Sequence, residues 1–254
     1  MGDLHEGHLS LVRRAKKEND LVEVSIYVNP IQFNQKRDFL KYRRDEKKDV
    51  RLLKKEGVDC LFIPDSKEIY PPGYQTYVSV RELAKELCGA HRPCHFDGVA
   101  TVVLQLLHLV NPARCYMGQK DYQQCRLVEQ LCADLKMDVR IVSCPTVREP
   151  SGLALSSRNS RLTEDERRRA GSIFRALQVC AQMIKFKPAA TLGQIRSAFD
   201  SQLELTETDR VEYFAMSDLQ TLRPLARLKP RMLLACAVWL GQTRLIDNLL
   251  IRKK

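Results

Sequence analysis

Two histidines three residues apart stand near the start of this chain, in MGDLHEGHLSLV. Gly2 and Gly7 let the backbone come close to a ligand, and an amphipathic helix beginning near residue 6 presents unpaired N–H groups in its first turn. A helix start of this kind is an anion site, and His5 and His8 share the face from which both reach phosphates lying there. The same pair could instead cap the helix at the surface. Zinc fits less well, because a metallohydrolase helix of the H-E-x-x-H type needs spacing i, i+4 and this pair has i, i+3.

Three further stretches carry chemistry. VNPIQF (28–33) follows an apolar run; Pro30 ends strand pairing and Gln32 can project over the strand's carboxyl end, where ligands of open α/β sheets bind. MGQKDYQQ (117–124) again leaves a strand and enters a helix. Gly118 allows close approach, Lys120 is a mobile point charge, Asp121 is a helix cap or hydroxyl acceptor, and Gln124 lies near the same mouth. LALSSRNSRL (153–162) sets Ser156, Ser157 and Arg158 in sequence, neutral donors followed by a planar fork, or else a hydroxyl turn capping the next helix. Taken together, the four describe a nucleotide-triphosphate site.

Elements that would position them alternate from residue 6 to about 143. A helix over 6–18, a strand over 21–28, a charged helix near 45–56 and the strand DCLFI come first. A helix over 97–110, the strand ARCYM, a helix over 121–135 and the strand VRIVS follow. Short apolar strands between helices predict a parallel sheet, hence an α/β domain. Beyond it come two helices, near 163–185 and 191–204, then VEYFAMSD, RMLLACAVWLG and TRLIDNLLI, the last two joined as a hairpin at Gly241-Gln242. This predicts a Rossmann-like domain over 1–158 and a smaller α+β domain over 159–254.

Composition narrows the class. The 254 residues are 44% hydrophobic, enough for a proper core, and hold no long apolar run and no basic-then-apolar leader, so a cytoplasmic protein without membrane contact is expected. Nine scattered cysteines without a C-x-x-C predict reduced, mostly buried thiols. The formal charge of +11 is spread through mixed-charge helices such as DEKKDVRLLKKEG, with no basic stripe interleaved with aromatics. It therefore predicts an anionic substrate on a basic surface and no nucleic-acid partner.

The stretches MGDLHEGHLSLV, VSIYVNPIQF, RPCHFDGVATVV, GQKDYQQ, CPTVREPSGLALSSRN and RLIDN, in this order and spacing, resemble the pantothenate synthetases, the pantoate–β-alanine ligases of the HIGH-motif nucleotidyltransferase superfamily. The resemblance covers nearly the whole chain. It implies a Rossmann-like domain with a smaller lid domain, Mg-ATP as cosubstrate, pantoate and β-alanine as substrates, and a homodimer. It also implies that Met1, Gly2, Asp3, Leu4, His5, Glu6, Gly7 and His8 line the ATP phosphates, with His8 the proton donor. Gly118, Gln119, Lys120 and Asp121 would hold ribose and phosphates, and Gln32 and Gln124 pantoate. Val147 would contact adenine through its backbone, and Leu155, Ser156, Ser157 and Arg158 would form a mobile phosphate loop. His5, His8, Lys120 and Arg158 are the catalytic set in this reading.

Departures from the family carry expectations of their own. Gln119 stands where Glu is frequent and should matter little. Cys94 replaces the small residue of RPGHF, and its volume should fit. KYRRD (41–45) lacks the usual flap proline. Family members also carry a first strand and a Pro-Thr before the methionine that begins this chain. The resemblance therefore implies an N-terminal truncation or a misassigned start. A lost central strand should cost more than a domain's whole margin of roughly 5–15 kcal/mol and leave the turn at residues 1–8 unanchored. The rival readings are a related adenylyltransferase with another acceptor, and an impaired remnant that only binds.

Overall fold

The computed structural model describes residues 2–252 apart from 35, 41 and 188. Met1, expected among the phosphate ligands, lies outside the described residues. The chain forms two compact units, Met1–Pro145 and Thr146–Lys254.

The first unit runs α1 (Glu6–Glu18), β1 (Glu23–Ser25), α2 (Lys36–Leu40), α3 (Glu46–Lys55), β2 (Cys60–Phe62), α4 (Ser66–Ile69), α5 (Cys88–His91), α6 (His95–Val110), β3 (Arg114–Gly118), α7 (Tyr122–Asp134) and β4 (Arg140–Cys144). The longer elements follow the expected alternation. Helices α2, α4 and α5 are single turns, too short for hydrophobic periodicity to reveal. The strands pair in parallel as two separate ladders, β1 with β2 and β3 with β4. Among the described residues no strand precedes α1.

Helix α1 joins the two ladders. Its apolar residues recur at helical spacing, so Leu9, Val12 and Ala15 pack with Val22, Val24, Ile26 and Leu53, while Leu11 meets Val142 and Cys144 beside β4. Glu6 in its first turn and Lys16 and Lys17 in its last complement the helix dipole. Asn19 closes the helix by donating to the Ala15 carbonyl at 2.7 Å. A helix so placed carries its N-terminal turn to the carboxyl ends of the strands.

The second unit packs α8 (Glu164–Phe186) and α9 (Leu192–Gln202) on an antiparallel sheet of β5 (Arg210–Ser217), β6 (Arg231–Leu240) and β7 (Thr243–Arg252), in the order β5-β6-β7. Capping boxes start both helices, Thr163 with Glu166 and Thr191 with Gln194. The central strand β6 is buried along nearly its whole length, with Met232, Leu234, Cys236 and Val238 in the core shared with Leu177, Ile195 and Phe199. The expected hairpin forms: Leu240 pairs with Thr243 around Gly241-Gln242, and Gly241 takes φ +51°, as a tight turn requires.

The two compact units meet at Pro145/Thr146, ahead of the border expected at 158/159. Residues 146–158 fold back within the second unit. Arg148 bridges to Ala154 and pairs with Asp247 of β7, and Leu153 enters the second core. The tie to Asp247 joins positions 99 apart in sequence, which no local pattern reveals.

Candidate active site

The turn before α1 is held from the side. The Leu4 N–H donates to Asp49 Oδ1 at 2.7 Å, and Asp49 is 1% exposed in α3. Lys48 Nζ donates to the Leu4 carbonyl at 3.2 Å and stands 3.6 Å from the Asp3 carboxylate, with Arg43 at 3.9 Å. Asp3 adopts a left-handed φ of +50°, a conformation that asparagine and aspartate tolerate better than other side chains. The expectation of an unanchored turn is thereby corrected: α3 supplies the anchor through a buried carboxylate. Leu4 is a core residue, and a Cβ on Gly2 would stand 3.2 Å from Val28 Cγ2, so this backbone lies close against the end of β1. Glu6 is exposed and paired with Arg13, which directs its carboxylate away from the turn.

His5 is the extended N-cap of α1, and its carbonyl accepts from His8 and Leu9 N–H at 2.8 and 3.1 Å. The two imidazoles pack with centroids 4.1 Å apart. His5 N–H points to His8 Nδ1 at 3.4 Å, a long contact that leaves Nε2 as the protonated nitrogen of neutral His8. Burial, helped by His5 and by the Lys120 ammonium, pushes His8 down to about 3. Burial and then Lys120 also lower His5, against Asp3 and Asp121, which raise it. The structure thus gathers His5, His8, Lys120 and Asp121 at one helix start. His5 Nδ1 is buried and has no hydrogen-bond partner among the described residues. Lys120 and Lys48 bring positive charge to this turn, and the histidines offer neutral N–H groups.

Gln32 sits in the short turn Pro30–Gln32 after β1, and its backbone is heavily fastened. Its carbonyl accepts from His95 Nδ1 at 2.7 Å and from Arg92 Nη2 at 3.2 Å, while Arg92 Nη1 meets His95 Nε2 at 3.0 Å. Asn29, 2% exposed, caps the turn at Ile31 N–H, donates to the Gly98 carbonyl at 2.9 Å and accepts from Tyr70 Oη at 2.9 Å. Burial raises the Tyr70 phenol above its usual value, so it stays a donor. A Cβ on Gly98 would lie 2.9 Å from Gln32 N, so α6 approaches the turn this closely only with glycine there.

Gly118 ends β3, and a Cβ on it would stand in open space. Asp121 occupies the N-cap position of α7 yet makes no capping hydrogen bond, which sets aside the purely structural role considered for it. The neighbouring glutamines divide. Gln123 is buried and joins Cys88 N–H, the Leu83 carbonyl and the Glu86 carbonyl; Gln124 is half-buried in the first turn of α7. Gln119 and Lys120 lie in the single turn between β3 and α7.

In the second unit the Val147 carbonyl accepts from Leu155 N–H at 3.0 Å, closing a small hairpin. Ser156 Oγ accepts from Arg158 N–H at 3.3 Å, so that hydroxyl does cap the turn Ser157–Arg161, as the local alternative had it. Ser157 and Arg158 are half-buried.

All nine cysteines are free thiols and six are buried, matching the expectation of reduced core residues. Cys94 shows what its volume alone did not reveal. It is exposed and takes φ +60°, so backbone conformation, and not volume, explains the glycine that the family motif has at this place. Sequence reasoning assigned no role to Asp49, Lys48, Tyr70, Asn29, Arg92, His95, Gly98, Arg148 or Asp247. The last six stood inside the quoted motifs, and, Gly98 apart, their polar character among apolar neighbours was the available signal.

Residues 1–250 match the family model described as pantoate-beta-alanine ligase. The pantothenate synthetase of Moorella thermoacetica is 49% identical over 253 residues, 99% of this chain and 88% of that protein. That of Caldicellulosiruptor saccharolyticus is 45% identical over 99% of this chain and 89% of its own length. The crystal structure of pantothenate synthetase from Thermus thermophilus superposes with a TM-score of 0.93 at 42% identity, covering 98% of this chain and 90% of the other. The ligase from Francisella tularensis, complexed with beta-gamma ATP and beta-alanine, gives 0.78 at 38% identity, covering 98% and 87%. These matches do not bear out the expected N-terminal loss as a property of the protein. Fold, motifs and relatives agree, and the chain belongs to the pantoate–β-alanine ligase family.

Proposed function

We propose that this protein joins (R)-pantoate to β-alanine through a pantoyl adenylate, releasing AMP and pyrophosphate. The pantoate carboxylate attacks the α-phosphate of ATP, and the amine of β-alanine then displaces AMP from the acyl carbon. The observation that carries this reading is the start of α1, where two neutral imidazoles, one with a buried unpartnered nitrogen, stand beside Lys120 at the positive end of a helix. These groups suit a triphosphate: Lys120 supplies charge, and His5, His8 and the first-turn amides of Glu6 and Gly7 supply hydrogen bonds aimed at one place. A bound triphosphate favours the imidazolium form that burial disfavours, so nucleotide binding raises both histidines and equips His8 to donate a proton.

The family likeness assigns the ribose side to Gly118, Gln119 and Asp121, pantoate to Gln32 and Gln124, and further nucleotide contacts to Val147, Leu155, Ser156, Ser157 and Arg158. Support comes from the matching motifs and from the fastening of Gln32, whose backbone cannot swing with its side chain. No group of three or more His, Cys, Asp or Glu side chains among the described residues is placed to hold a metal. From the family likeness the cosubstrate is Mg-ATP, whose ion would supply charge stabilisation at the phosphates. From the family likeness we also infer a homodimer in the cytoplasm; sedimentation at equilibrium tests the dimer. The reaction is tested by product analysis with pantoate, β-alanine and ATP. AMP and pyrophosphate in equal amounts are expected, and ADP with phosphate would overturn the adenylate route.

A further inference from the structure

The segment of the second unit expected to hold the nucleotide is tied to the sheet by a part-buried ion pair. Arg148 donates from Nη1 to Asp247 Oδ2 at 2.6 Å and from Nη2 to Oδ1 at 2.8 Å, the parallel fork that guanidinium and carboxylate make best. Asp247 is 5% exposed in the middle of β7. The same Nη1 reaches the Gly152 carbonyl at 3.0 Å, and the guanidinium carbon lies 3.6 Å from the centre of the Phe174 ring of α8. Arg148 is thus fixed against the sheet, the helix and its own hairpin at once.

That hairpin is short and closed. Glu149 N–H donates to Leu153 O and Gly152 N–H to Glu149 O, both at 2.8 Å, and Leu155 N–H to Val147 O at 3.0 Å. Gly152, at φ +92°, has Phe174 where a Cβ would be, 3.0 Å away, so the tip is pressed onto α8. A second fastening lies beyond the loop. Asn159 Nδ2 donates to Glu149 Oε1 at 3.2 Å and to the Ala154 carbonyl at 3.1 Å, and Arg167 grips the same Glu149 carboxylate at 3.0 and 2.8 Å. Residues 155–158 are therefore a loop whose two ends are tied to one hairpin, and that hairpin is tied to the sheet through Arg148.

We propose that Asp247 is a positioning residue for the nucleotide: through Arg148 it fixes on the sheet the hairpin that carries Val147 and the 155–158 loop. This rests on the reading that those residues contact adenine and phosphates. A ligand that touches both arms binds well only if the hairpin carrying them is held in place, and the Asp247 carboxylate holds it against the sheet. Replacing such a pair by apolar residues is commonly neutral or stabilising, so a double apolar variant separates a positioning role from a stabilising one.

The test uses Asp247→Asn and the double variant Arg148→Met/Asp247→Leu in the full chain. Both should raise the KM for ATP by about tenfold or more, the scale of a lost positioning contact, while the KM values for pantoate and β-alanine stay within about twofold. The double variant should do so at a melting temperature equal to or above that of Asp247→Asn. Independently of any variant, hydrogen exchange of the wild-type Leu155 amide should be slow without nucleotide. A folded variant of either kind with wild-type KM for ATP, or a rapidly exchanging Leu155 amide, overturns the positioning role. Wild-type protein that forms no AMP would overturn the nucleotide reading beneath it, with the slow Leu155 amide then still marking the clamp as structural.

Discussion

Replacing Gly98 by alanine should damage pantoate use far more than ATP use. The added Cβ would stand 2.9 Å from Gln32 N and 3.0 Å from both Gln32 Cα and Ile31 C. Contacts between such atoms settle at about 3.5–4.0 Å, so either α6 or the turn must move by roughly 0.5–1 Å. All three facing atoms are backbone, and no side-chain rotation relieves them. The turn is also held by the Asn29 bond to the Gly98 carbonyl and the His95 bond to the Gln32 carbonyl, so a shift disturbs both. Overpacking of this kind costs about 1–3 kcal/mol of stability. Displacing a substrate-positioning group by about 1 Å can cost up to about a hundredfold in rate. We therefore expect the KM for pantoate to rise by about tenfold or more and that for ATP to change less than about twofold, since the α1 start is built from other residues. Initial rates with each substrate varied, together with circular dichroism to establish folding, would measure this. A folded Gly98→Ala protein with an unchanged KM for pantoate would refute the claim that the α6 contact aims Gln32.

Cys94→Gly should stabilise the protein by about 1 kcal/mol, the cost of a side chain in the left-handed region, and raise the denaturation midpoint; a lower midpoint would contradict the backbone argument. Gly118→Ala, at an ordinary φ of −75° and facing open space, should leave the midpoint unchanged yet raise the KM for ATP, because the nucleotide needs that space; an unchanged KM removes Gly118 from the site. His8 is held neutral in the fold, at about 3 against an ordinary 6.5, so below pH 6.5 the unfolded chain binds a proton that the native chain excludes. Wild-type stability therefore falls relative to His8→Gln as pH drops from about 6.5 towards 3, by at most about 1.4 kcal/mol per unit and less for the exposed part of the ring. Urea titrations of both proteins at pH 7.5 and 5.5 check this, and parallel curves would show that His8 titrates normally.

What was legible in the sequence was local. The α1 helix follows from apolar spacing over 6–18, and the turns holding Gln32 and Lys120 follow from proline and glycine after apolar runs; both lie at strand ends as read. What was not legible depends on partners distant in the chain. Asp49 reads as one charge among many in DEKKDVRLLKK, and only the fold brings it to the Leu4 N–H, where it anchors the turn before α1. The tie between Arg148 and Asp247, which joins residues 99 apart, likewise has no local pattern. Cys94 was judged by volume, although a positive φ is invisible in a side chain's size. For His8 the sequence set a helix dipole against a triphosphate, whereas burial is the leading cause of its neutral state before nucleotide binds.

The central claim is that an oxygen of pantoate attacks the α-phosphate. Pantoate labelled with ¹⁸O in its carboxylate, turned over with ATP and β-alanine and followed by mass spectrometry of the nucleotide, tests it most directly. When the amine displaces AMP from the acyl carbon, the bridging oxygen leaves with the phosphate, so each AMP should carry one labelled oxygen. Unlabelled AMP, or label in inorganic phosphate, would contradict the account.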